Sequence, residues 1–181
     1  MLDNVRDSAF TTAWFGLMAM VWCGWAQESP APRLKLLLII GAVLGGALAI
    51  GFGIYTALHW HAPTALDRAG SIRFGIVVGL EVVAAGGGSL ILSLSGDSRW
   101  IAWWIAVVVA AHFISLAWIF GGWSLVILAV VELLLLVVAA FLLRGEDYPT
   151  SRWVGPLMAL TIWLFGVINA VVTLTRSAAA N

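Results

Sequence analysis

Six long apolar stretches separated by short polar turns limit what this chain can fold into. They run from about Phe10 to Ala26, Leu34 to Leu58, Ile72 to Leu94, Trp100 to Phe120, Trp123 to Leu143 and Trp153 to Thr175. Each is close to the ~20 residues a helix needs to cross ~30 Å of hydrocarbon. Lipid offers no partner to backbone amides and carbonyls, so such stretches must span as helices or as a closed barrel. Continuous runs, without alternation in twos, exclude the barrel. The expectation is an all-α fold. It is a six-helix transmembrane bundle in which residues 1–181 form one polytopic domain, multi-pass in a cell (plasma) membrane with both termini on the same side.

Composition agrees with that reading. The chain is 62% hydrophobic and 10% charged, against about 25% charged in soluble domains. The formal net charge is zero, so no basic surface invites nucleic acid. The single cysteine, Cys23, lies inside an apolar run. It rules out an internal disulfide and supplies no metal-ligand spacing.

The punctuation places the turns at Glu28–Arg33 (ESPAPR), His59–Ser71, Ser95–Arg99 (SGDSR), Gly121–Trp123 (GGW) and Arg144–Arg152. The brevity of GGW predicts an antiparallel hairpin of helices 4 and 5. No small-x-small cleavage site follows the first apolar run, so a retained helix is expected there rather than a removed signal peptide. Four basic residues fall on the terminal side (Arg6, Arg68, Arg73, Arg176) and five on the other (Arg33, Lys35, Arg99, Arg144, Arg152). By the positive-inside rule this leans toward both termini outside.

Seven of the eleven tryptophans lie near span ends, as an interfacial belt requires. Trp14, Met18, Trp22 and Trp25 share one face of helix 1, while Trp104 and Trp163 lie deeper. Trp22, Trp104, Thr161 and Trp163 are candidates to line a cavity; helix and lipid packing is the plainer use of such aromatics. Gly41/Gly45 and Gly75/Gly79 give helices 2 and 3 small-xxx-small faces, which let backbones approach closely. These faces also allow a homodimer. Gly86–Gly88 would soften or kink helix 3. Shifting helix 3 by about 80 positions lays Gly75, Leu80, Gly86 and Leu94 on Gly155, Leu160, Gly166 and Leu174. A three-plus-three repeat, with two three-helix units, would produce that match.

Buried charge is the informative feature. Besides Cys23, only Glu81, His112 and Glu132 are ionisable and well inside spans. Counting about 1.5 Å per residue from the helix ends puts all three roughly 12–14 Å below the same surface. A charge at a helix centre costs about 2.5–3.5 kcal/mol on insertion scales, so pairing, neutralisation or water must compensate. A Glu–His–Glu layer can share a proton, and it suits a proton relay or a cation site. Thr161, Asn169 and Thr173 fall near one face of helix 6, and Ser115 shares the face of His112. Glu81, His112, Glu132, Asn169 and Ser115 are therefore the candidate proton- or ligand-binding residues, with interhelical fastening as their plainer role. His59 and His61, at the membrane edge near Asp67, form at most a weak metal motif.

The segment FGIVVGLE (Phe74–Glu81), followed by HFISLA (His112–Ala117), resembles a group of small bacterial polytopic membrane proteins. That group carries F-G-x-x-x-G-x-E and then H-F-x-P-L-A in the next helix. The likeness covers helices 3 and 4, about a quarter of the chain, and Ser115 stands where the group has proline. It implies a paired Glu81–His112 site without naming its use.

Three functions follow from these residues. One is a small transporter, channel or ligand-binding protein handling a proton, cation or small polar or amphiphilic ligand. Another is a structural or partner-binding subunit whose polar groups only fasten helices. The third is a membrane-embedded enzyme with a Glu base and His112 as acid or ligand. No cofactor and no metal is specified by any motif, no Ser-His-Asp arrangement is readable, and Gly86–Gly88 lacks the lysine of a phosphate loop.

Overall fold

The computed structural model describes residues 4–64 and 66–180. It contains six α-helices: α1 (Val5–Trp25), α2 (Lys35–Leu58), α3 (Arg68–Leu94), α4 (Ile101–Phe120), α5 (Trp123–Leu143) and α6 (Ser151–Ala180). Short 3-10 turns at Ala26–Glu28 and Ser98–Trp100 follow α1 and precede α4. All six helices are long and apolar enough to cross a membrane. The chain is a multi-pass helical membrane protein.

One helix start, that of α3, is fixed by a side-chain cap. The carboxylate of Asp67 accepts a 2.6 Å bond from the Gly70 amide. It satisfies an amide that the first turn leaves open, so α3 begins at Arg68, a turn earlier than hydropathy alone places it. Gly121, at φ +67°, closes α4 in the left-handed region that glycine enters without strain. The expected α4–α5 hairpin forms around it. α3 continues unbroken through Gly86–Gly88, so this triplet does not interrupt the helix. Summed backbone bonding outweighs the modest propensity cost of each glycine, because lipid penalises every bond left open.

Packing sorts the helices into α1, α2 and α6 on one side and α3, α4 and α5 on the other, joined where α6 meets α4 and α5. These are not the consecutive triplets of a simple repeat. α1 is the centre of the first group. Its contact with α2 is close: a Cβ on Gly16 would stand 2.6 Å from the Gly45 carbonyl, and one on Gly45 would stand 2.7 Å from the Gly16 carbonyl. Phe15 joins the groups, edge-on to Phe113 of α4 (centroids 5.8 Å apart) and to Phe165 of α6 (5.7 Å).

The two ends of the bundle are tied differently. At one end, Arg6 of α1 donates to the Trp60 carbonyl (2.8 Å) and lies over its ring, while Tyr55 of α2 bonds Ser177 of α6 (2.6 Å). At the other, Ser151 donates to Glu28 (2.7 Å), and both amide and hydroxyl of Thr150 donate to the Arg99 carbonyl.

Candidate functional site

α3 stands at the edge of the bundle. None of its 27 residues is buried, and its packing partners are α4 and the turn before it. Three rungs hold the α3–α4 seam. Phe74 meets Phe120 edge-on, with centroids 6.1 Å apart. Glu81 Oε2 lies 3.4 Å from His112 Nδ1. Gly88 receives the indole of Trp104, whose Nε1 donates to the Ala84 carbonyl at 3.0 Å. The rungs recur every seven residues on α3 and every eight on α4, two turns apart on each helix. The Glu81–His112 rung is the middle one, and Glu81 sits halfway along α3.

This central pair is close but incompletely bonded. His112 Nδ1 is buried and has no hydrogen bond, because Glu81 approaches it off the line a bond requires. The side chains keep 9% (His112) and 22% (Glu81) of their surface exposed. Half-buried Ser115 lies one turn along α4 from His112.

Glu132 takes a different place. It lies on the buried stripe of α5 that includes Leu125, Leu128, Ala129, Leu136 and Ala139, and its exposure is 0%. One carboxylate oxygen accepts from Thr161 of α6 at 2.7 Å; the other has no hydrogen-bond partner. It forms no ion pair with His112. The expected three-member layer is thus a Glu81–His112 pair on α3–α4 and a Glu132–Thr161 pair on α5–α6.

Asn169 belongs to a third cluster. Its amide donates to the Ser8 carbonyl (2.8 Å) and to Thr12 Oγ1 (2.9 Å), its carbonyl accepts from Ser8 Oγ (3.3 Å), and Ser8 also bonds Thr173 (2.6 Å). All four residues are buried. Every polar atom of the Asn169 side chain is used, which is how a fastener in lipid should look. Ser8 and Thr12 are members of this cluster that the sequence reading misses; their spacing of four on one face of α1 is the signal that could have found them.

The aromatic candidates do not share one cavity. Trp22 is buried and stacks on Trp25, 5.3 Å between centroids, while Trp14 on the same helix is exposed. Trp163 borders an apolar groove of about 320 Å³ between α2 and α6, floored by Cys23. Trp104 borders a second groove, of about 560 Å³, on the other half of the bundle. Among the described residues, no three His, Cys, Asp or Glu side chains gather to hold a metal ion. His59 instead stacks on Tyr55 (4.2 Å), and Asp67 is occupied as the α3 cap.

Fold and site together define a six-span helical membrane protein with an acid–imidazole pair between its third and fourth spans. No family model matches the chain, nor does any curated protein or solved structure.

Proposed function

We propose that this chain is a small ligand-binding or transport protein of a bacterial plasma membrane, with both termini on one side. In this reading Glu81 and His112 take up a proton, or the protonated amine of an amphiphile that arrives laterally from the lipid. The observation that carries it is the 3.4 Å approach of Glu81, on a helix without buried residues, to His112 of α4, with 22% of the Glu81 side chain still exposed.

A fastener should be sheltered and saturated, because each open polar group in hydrocarbon is costly. The Asn169 cluster meets that description, so a fastening role is assigned to it. The Glu81–His112 pair is open on one side and leaves His112 Nδ1 without a hydrogen bond. An ammonium group would supply donors to Glu81 and bring charge of the sign the carboxylate favours. Its alkyl chain would lie along the exposed apolar residues of α3, such as Leu80, Val82 and Val83.

The test is thermal stability of the purified protein with dodecylamine and with dodecanol, its uncharged counterpart. Dodecylamine is expected to raise the melting temperature of the wild type, and dodecanol is not. Glu81→Gln should remain folded and lose the response. Equal responses to the two amphiphiles, or an unchanged response in Glu81→Gln, would remove the basis for this function.

A further inference from the structure

α3 and α5 both pack on α4 but share no substantial interface with each other. Between them, at the end of the bundle away from the Asn169 cluster, is the groove of about 560 Å³. Its floor is tryptophan, supplied by Trp100, Trp103 and Trp104 of α4 and its leading turn. Two of these indoles are held in place: Trp103 Nε1 donates to the Leu136 carbonyl of α5 (2.8 Å), and Trp104 Nε1 to the Ala84 carbonyl of α3 (3.0 Å). With their polar edges engaged, they offer ring surface to the groove. Ile91 and Leu92 of α3 and Ala140 of α5 also line it.

The mouth has the opposite character. Arg144 is exposed and forms part of the lining, with its guanidinium over the neighbouring Phe141 ring, 4.0 Å from the centroid. Arg99 donates to the Arg144 carbonyl (3.2 Å) and lies over the Trp100 ring, 5.1 Å from its centroid. Among the described residues, neither guanidinium pairs with a carboxylate. From Leu94, at the end of α3, to Gly88 the groove descends roughly 9 Å at 1.5 Å per residue. It therefore joins two cations, neither in an ion pair although Asp97, Glu146 and Asp147 lie in the same turns, to an apolar slot that runs along the spans. The α2–α6 groove has no charged residue in its lining.

We propose that the α3–α4–α5 groove is a specific site for an anionic phospholipid. One acyl chain lies over Trp103 and Trp104, and the phosphate lies between Arg99 and Arg144. Arginine suits this place because its planar donors match phosphate oxygens while its stem packs on apolar surface. Basic pockets between membrane helices recognise anionic headgroups on the same principle.

Native mass spectrometry of the full chain, released from a zwitterionic detergent, tests the proposal. The probes are phosphatidylglycerol, phosphatidylcholine with identical chains, and inorganic phosphate. Wild type should retain one phosphatidylglycerol in clear preference to phosphatidylcholine. Arg144→Gln, an exposed change that leaves the helices intact, should cut that preference by roughly fivefold, as expected for one interfacial arginine. Ala140→Phe should fill the slot and abolish retention of both lipids, with helix content by circular dichroism unchanged. Inorganic phosphate alone should not shift the melting temperature. Equal retention of the two lipids, undiminished preference in Arg144→Gln, a phosphate effect as large as that of the lipid, or a second protein chain in place of a lipid adduct would each overturn it.

Discussion

The indole of Trp104 occupies the space in which a Cβ on Gly88 would have to stand, and the same ring donates to the Ala84 carbonyl one turn away. Gly88 is thus a contact residue, although the sequence presents it as the last of three equivalent glycines. A methyl on Gly86 or Gly87 would meet nothing within 4 Å. Gly88→Ala is expected to destabilise the protein by about 1–3 kcal/mol, the usual range for overpacking. Gly86→Ala and Gly87→Ala should be neutral or stabilising by up to about 1 kcal/mol, since alanine costs a helix less than glycine. Melting temperatures of the three single variants check this; equal effects at 86, 87 and 88 would contradict the seam.

The α1–α2 crossing makes a stronger case. A methyl on Gly16 would meet the Gly45 carbonyl at 2.6 Å and the Ala49 amide nitrogen at 2.8 Å. These are backbone atoms that cannot rotate away, so the helices would have to part. Gly16→Ala should lower the melting temperature distinctly, whereas Gly24→Ala, with nothing within 4 Å, should not. A Gly16→Ala variant as stable as wild type would show that the helices are not in contact there.

Asn169 and Glu81 should separate stability from ligand response. Asn169→Leu removes the bonds to Ser8 and Thr12. Interhelical bonds in membranes average about 0.6 kcal/mol and reach about 1.7, so losing the three that Asn169 makes should cost roughly 1–3 kcal/mol, while Ser8 keeps its bond to Thr173 and Thr12 its bond to the Ser8 carbonyl. The response to dodecylamine should survive in the folded fraction. Glu81→Gln should show the reverse pattern, with little change in stability and no response. Steric-trap unfolding or reversible denaturation in mixed micelles gives the first quantity, and thermal shift gives the second.

Much of the architecture is legible in the sequence because lipid imposes a simple rule on long apolar runs. The limits of α4 and α5 follow almost directly from hydropathy. The limits of α1, α3 and α6 do not, since polar first and last turns such as Val5–Ala9 and Arg68–Ser71 continue the helix beyond the apolar part. Depth is legible for Glu81 and His112, which counting along the spans expects at one level and which lie 3.4 Å apart. Azimuth is not. Which neighbour a mid-membrane side chain meets depends on helix packing, and α5 turns Glu132 toward Thr161 rather than toward His112. The Glu81–His112 pair is readable because the two residues lie midway along consecutive helices. Its companions in the seam, Phe74 with Phe120 and Gly88 with Trp104, emerge only from the packing.

The proposed function requires that Glu81, and not Glu132, be reachable from the lipid. A hydrophobic carbodiimide measures this directly, because it dissolves in the bilayer and adds to protonated carboxyl groups. Labelling is expected at Glu81, whose side chain is 22% exposed, and none at Glu132, which is 0% exposed. Dodecylamine should slow the labelling at Glu81. Peptide mass spectrometry of protein labelled in liposomes gives both results. An unlabelled Glu81, equal labelling of Glu132, or no protection by the amine would contradict a lipid-facing ligand site.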